Sequence, residues 1–227
     1  MTVSPHRDLT GIFKAYDVRG VVPDELDEEI ARSIGSAFAE WSGADAVAVG
    51  RDSRLSSPAL AVALSEGIAS RGTDVIDIGL ASTDLLYFAS GSRDVAGVML
   101  TASHNPPEYN GMKFCLPGAR PVGEDTGLAE IRDLAERHVA GPSAITGAVK
   151  QEELLDAVLS FVDVSVMRPL TVVADTANGM GGLVVPPVFE RLPMTLVHLY
   201  PELDGTFPNH PADPIDPANR RDLDREV

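Results

Sequence analysis

Val95-Ala96-Gly97-Val98-Met99-Leu100, running straight into Thr101-Ala102-Ser103-His104-Asn105-Pro106-Pro107 and then Asn110-Gly111-Met112-Lys113, sets the architecture of this 227-residue chain. The apolar run has the length of a buried strand, and the polar cluster after it is closed by two prolines. Ser103 therefore sits on a loop at a strand end, the edge of an open α/β sheet where ligands bind. A serine hydroxyl is a weak nucleophile until a base or a pre-attached phosphoryl group makes it useful. His104 and Lys113 are the candidates for base or electrostatic partner, a combination that suits phosphoryl transfer. The same residues also suit a turn whose Ser and Asn side chains bond backbone amides. Spacing alone leaves both readings open.

Working outward, Asp45 to Gly50 reads as a buried strand, and Ser57-Pro58 then opens a helix through about Arg71, with serine as N-cap and proline in the first turn. Gly72 stops it. Val75 to Ile78 is a further strand, and Ser82-Thr83-Asp84 caps a short helix through Leu85, Leu86, Tyr87 and Phe88. Strands alternating with helices predict an α/β layer fold with crossover connections. Asn110-Gly111 is a turn signal, which predicts that Lys113 begins a return strand held near the Ser103 loop. Glu124 to His138 has helical periodicity, and residues 140–147 read as a linker.

Beyond that linker, Glu152 to Val162 places apolar residues at helical spacing. Leu170 to Asp175 is another buried strand, followed by the loop Thr176 to Gly182, a short helix from Val184 to Arg191 and a strand from Met194 to Tyr200. The glycines of that loop lack a following Gly-Lys-Ser/Thr and read as a structural tight turn. From Pro201 the chain is proline-rich and polar, and Asp216-Pro217 starts a last helix.

Lys and Arg number 18 against 34 Asp and Glu, a net charge of −16. Phosphate backbones are bound by Lys and Arg, so the balance argues against nucleic acid as a partner. It also means that an anionic substrate needs a locally basic pocket on an acidic surface. Arg19, Arg51, Arg54, His104 and Lys113 are the candidates for one. No apolar run approaches a membrane span, and the first residues lack the apolar core of a signal peptide, so a soluble, cytoplasmic protein is expected. The single cysteine, Cys115, excludes an internal disulfide and reads as a small core residue.

The run TASHNPPEYNGMK resembles the phosphoserine loop of the α-D-phosphohexomutases, the phosphomannomutase/phosphoglucomutase family. Ile12-Phe13-Lys14-Ala15-Tyr16-Asp17-Val18-Arg19-Gly20 is similar to that family's opening signature, and Val49-Gly50-Arg51-Asp52-Ser53-Arg54-Leu55-Ser56 to its second block. Val173 to Gly179 and Phe207-Pro208-Asn209-His210-Pro211 resemble parts of its second domain. The resemblance implies an α/β fold of layered mixed sheets with helices on both faces, repeated in two phosphohexomutase-type domains, residues 1–145 and 146–227.

It also implies that Ser103 carries the phosphoryl group, that Lys113 and Arg19 serve as general acid/base or its electrostatic helper, that His104 orients or protonates at the phosphoserine, and that Tyr16 contacts substrate. His210 is given a structural role. A Mg2+ ion is implied between the phosphate on Ser103 and three aspartates of a D-G-D-A-D-R-like loop. That loop is not in this sequence, and Asp222-Leu223-Asp224 reads instead as a solvated helix face. The expected partners are therefore a sugar phosphate, a hexose 1,6-bisphosphate intermediate and the missing C-terminal domains. Ser82-Thr83-Asp84 departs from the Thr-Pro-type segment of many relatives. Two alternatives stand beside the mutase: a serine-phosphate phosphatase, which lacks the metal-liganding clusters it needs, and a catalytically inactive binding or interaction module.

Overall fold

A computed structural model describes residues 8–137, 151–160 and 162–227. The expected boundary at 145/146 lies outside these residues. The first unit is a mixed sheet built from β1 (Val18–Val21), β2 (Ala46–Arg51), β3 (Asp74–Leu80), β4 (Ala96–Leu100), β5 (Tyr109–Leu116) and β6 (Arg120–Pro121). Its order is β1-β5-β4-β2-β3, with β6 paired to β5. β2 runs parallel to β3 and β4, whereas β5 is antiparallel to β4 and β1.

Side chains alternate across a strand, and the core divides accordingly. Val47, Val49, Val98, Leu100, Met112 and Phe114 pack on one face. There they meet α1 (Glu28–Ser42), α2 (Ser57–Ala69) and α4 (Leu128–Ala135). Ala48, Met99 and Cys115 point the other way, against Leu85, Leu86 and Ala89 of α3 (Thr83–Arg93). Cys115 is thus the small core residue expected. α1 and α2 cross at backbone contact: a Cβ on Gly35 would lie 2.2 Å from the carbonyl oxygen of Leu64, and one on Gly67 2.0 Å from that of Arg32.

β1 and α1 add to the sequence expectations; Asp27 caps α1 by accepting from the Ile30 amide at 2.8 Å. Three boundaries differ from expectation for physical reasons. Asn110-Gly111 is not a turn but lies inside β5: Gly111 lets the Val18 carbonyl approach within 2.1 Å of where a Cβ would be, and Asn110 is buried. The turn falls earlier, across the prolines. Ser57 does not cap α2 but begins it, its hydroxyl donating to Asp52 Oδ1 at 2.6 Å. The helix expected from Glu124 is split by Gly127, which sits at φ +132 against the Trp41 ring.

The second unit pairs β7 (Thr171–Asp175) in parallel with β8 (Thr195–Leu199), accompanied by α5 (Gln151–Ser160), α6 (Gly181–Phe189) and α7 (Arg221–Glu226). The loop after β7 is the structural turn expected. Asn178, buried at φ +59, donates to the Glu202 carbonyl at 3.0 Å and accepts from Asn209 at 2.7 Å. His210 Nε2 lies 3.0 Å from Asp175 Oδ2, tying the proline-rich segment to the end of β7. No helix among the described residues is long and apolar enough to cross a membrane.

Candidate active site

Alternation along β1 and β5 assembles the first half of the site. Val18 and Met112 are register partners buried in the core, so Asp17, Arg19 and Lys113 emerge on the opposite face. There Asp17 Oδ2 accepts from Arg19 Nη2 at 2.8 Å and from Lys113 Nζ at 3.1 Å. Its side chain is only 6% exposed, and the two cations are about a quarter exposed. They line a pocket of about 600 Å3 together with Tyr16, Asn105 and Tyr109. Tyr16 stands at its rim, 78% exposed.

The second half is the loop after β4. Ser103 is exposed at the tip, at φ +54, a left-handed conformation uncommon for a residue with a side chain. Its amide donates to Thr101 Oγ1 at 3.0 Å. His104 Nδ1 lies 3.5 Å from Ser103 Oγ, at the outer limit of hydrogen bonding. Neither Ser103 nor His104 lines the described pocket. The connection runs through Asn105, whose Oδ1 accepts from Arg19 Nη1 at 2.7 Å.

Arg54 corrects one expectation. It is not a pocket cation but a buried strut, 1% exposed, turned into the loop. Nη1 donates to the carbonyls of Pro106 at 2.6 Å and Tyr109 at 2.9 Å, and Nη2 to those of Ser103 at 2.9 Å and Asn105 at 2.7 Å. Asp52 balances its charge at 3.2 Å from Nε. Burial lowers the Arg54 pKa, an effect that Asp52 opposes, and a guanidinium keeps its proton throughout. Arg51 ends β2 and does not line the pocket. Sequence reading missed Asp17 and Asn105; the signal for Asp17 was its position two residues before Arg19, on the same side of an extended segment.

Among the described residues no group of three or more His, Cys, Asp or Glu stands together to hold a metal. Asp222 lies on α7 and is engaged by Tyr200 at 2.6 Å and Arg225 at 2.8 Å. These described residues therefore do not form a Mg2+ site by themselves.

A serine loop at the carboxyl edge of a mixed sheet, braced by a buried arginine and joined to a pocket lined by three cations, belongs to an α/β/α protein whose sheet edge forms the site. The family follows from comparison. Residues 10–140 match the model of phosphoglucomutase/phosphomannomutase alpha/beta/alpha domain I, and residues 152–227 that of domain II. A protein named "Phosphohexose mutases" from Xanthomonas campestris is 46% identical over 213 residues, 92% of this chain and 48% of its own length. The "Phosphomannomutase/phosphoglucomutase" of Pseudomonas aeruginosa is 40% identical, over 95% of this chain and 47% of its own. A crystal structure of a phosphoglucomutase/phosphomannomutase family protein from Burkholderia thailandensis superposes with a TM-score of 0.84 at 36% identity, covering 95% of this chain and 49% of that one. This chain belongs to the phosphoglucomutase/phosphomannomutase family, and it spans about half the length of the relatives it matches.

Proposed function

We propose that the full-length protein interconverts the 1- and 6-phosphates of mannose or glucose, with Ser103 as phosphoryl carrier and a hexose 1,6-bisphosphate as intermediate. The observation that carries this reading is the hydrogen bond from Arg19 to Asn105, which couples the cationic pocket to the loop bearing the exposed Ser103 hydroxyl. In the forward step the bond from Ser103 Oγ to phosphorus breaks and Oγ takes up a proton, as a substrate hydroxyl forms its own bond to that phosphorus and gives up its proton. The bisphosphate reorients, and its other phosphoryl group returns to Ser103. Lys113, with Arg19 beside it, is the candidate to handle the hydroxyl proton, a role that contributes about 10²- to 10⁴-fold. Asp17 holds both cations in place. Tyr16 at the rim contacts the sugar. His104, with Nδ1 3.5 Å from Ser103 Oγ, is the candidate to serve the phosphate on Ser103.

Mg2+, held by that phosphate, would supply charge neutralisation against the incoming anion. The rest of the barrier is lowered by placing donor and acceptor in line. Intact-mass measurement with peptide mapping of the full-length protein should find phosphate on Ser103, and Ser103→Ala should abolish mutase activity on mannose and glucose 1-phosphates. An active, unphosphorylated alanine variant would overturn the reading.

A further inference from the structure

The phosphoryl-carrier loop is held mainly from behind, and the holder is itself clamped by the second unit. Four carbonyls of residues 103–109 converge on the Arg54 guanidinium. Over the face of that guanidinium lies the ring of Phe207, 5.1 Å from Cζ to ring centroid. Phe207 reaches it in an unusual way. Its backbone sits at φ +50, a conformation that a bulky residue adopts only where the surroundings impose it.

Those surroundings are explicit. The Phe207 amide donates to the Asp204 carbonyl at 3.0 Å, and the Asp204 amide to the Asn178 carbonyl in the loop after β7 at 2.9 Å. Gly205 is pressed against Ser53 and Arg54 so closely that a Cβ there would lie 2.5 Å from the Ser53 carbonyl oxygen. The 204–207 turn is therefore seated on the 53–55 segment, and its strained residue delivers an aromatic face to the one side chain that braces the serine loop. A ring over a desolvated guanidinium restricts the guanidinium plane, and with it the directions of its hydrogen bonds.

We propose that Phe207 is a positioning residue for Ser103, acting through Arg54, so that seating of the second unit sets the geometry of the phosphoryl-carrier loop. This rests on Ser103 being that carrier. The link makes the loop a composite feature: the first unit contributes the nucleophile and strut, and the second contributes the clamp. Phe207 acts on the chemistry only through Arg54, beneath its ring.

The test uses the full-length protein with Phe207→Leu, which keeps apolar bulk but loses the π face, and Phe207→Tyr, which keeps the ring. Amide hydrogen exchange is followed at Ser103, Asn105 and Tyr109, with Val172 to Ala174 of β7 as internal reference, alongside steady-state kinetics. The leucine variant should exchange at the loop about 5- to 30-fold faster, the factor a desolvated cation–π contact represents. Its kcat should fall with KM unchanged, and the tyrosine variant should match wild type in both measurements.

Wild-type exchange in the leucine variant would overturn the proposal. So would equal acceleration in β7, an unchanged kcat, or a tyrosine variant as impaired as leucine. Absence of phosphate on wild-type Ser103 would instead refute the carrier reading and, with it, the proposed role.

Discussion

Asp17 Oδ2 stands 3.1 Å from Lys113 Nζ while also engaging Arg19, so a single carboxylate oxygen holds two of the three cations that line the pocket, Lys14 being the third. Asp17→Asn keeps the shape but leaves Arg19 and Lys113 facing each other across a neutral amide. Hydrogen bonds to charged groups are worth about 1.5–3 kcal/mol, and under the proposed function kcat/KM of the full-length protein should fall about 10- to 100-fold. Steady-state assay on hexose 1-phosphate measures this, and a wild-type value would show that the cations orient themselves.

Arg54 and Asp52 form a buried pair, and removing one partner of such a pair costs about 3–5 kcal/mol. Arg54→Met should lower the unfolding free energy by that amount in urea titrations. Arg54→Lys should recover only part of it, because an ammonium cannot point two pairs of donors at the carbonyls of residues 103–109.

The α1–α2 crossing predicts a coupled response. Gly35→Ala or Gly67→Ala drives a methyl into the facing backbone, at an overpacking cost of about 1–3 kcal/mol each. The same separation of the helices relieves both clashes, so thermal melts of the double variant should show less than the sum.

Burial pushes the Cys115 thiol above its ordinary value. The folded state then keeps a proton that the unfolded chain releases, so this contribution to stability is whole below the usual thiol range and is lost as pH rises through it. Chemical denaturation should become easier above pH about 8.5. Cys115→Ala should flatten that decline, and thiol reagents should label Cys115 only on unfolding.

The strand into Ser103 and the helix-strand alternation were legible because burial on both faces demands unbroken apolar runs and because caps such as Ser82 act locally. Asn110-Gly111 misled because both residues answer tertiary needs. The Asn110 amide donates to Ser56 and Ser57, and Gly111 admits the Val18 carbonyl. Arg19, Lys113 and Tyr16 were legible as a group, and the structure brings them to one pocket. Arg54 was not legible in its orientation. An arginine inside a signature block has the same letters whether it faces a ligand or four carbonyls, and only the path of the loop decides.

The sheet ends at β3, one side of which carries no strand among the described residues. An unpaired edge invites a neighbouring molecule to add a strand of its own. Here an incoming chain would meet the exposed carboxylates of Asp74 and Asp77. It would also find the Gly79 amide already taken by Asp77 at 2.8 Å and the backbone turned aside at φ +65. The outermost strand thus discourages runaway strand-to-strand assembly between molecules, a safeguard against fibre formation written into the edge itself.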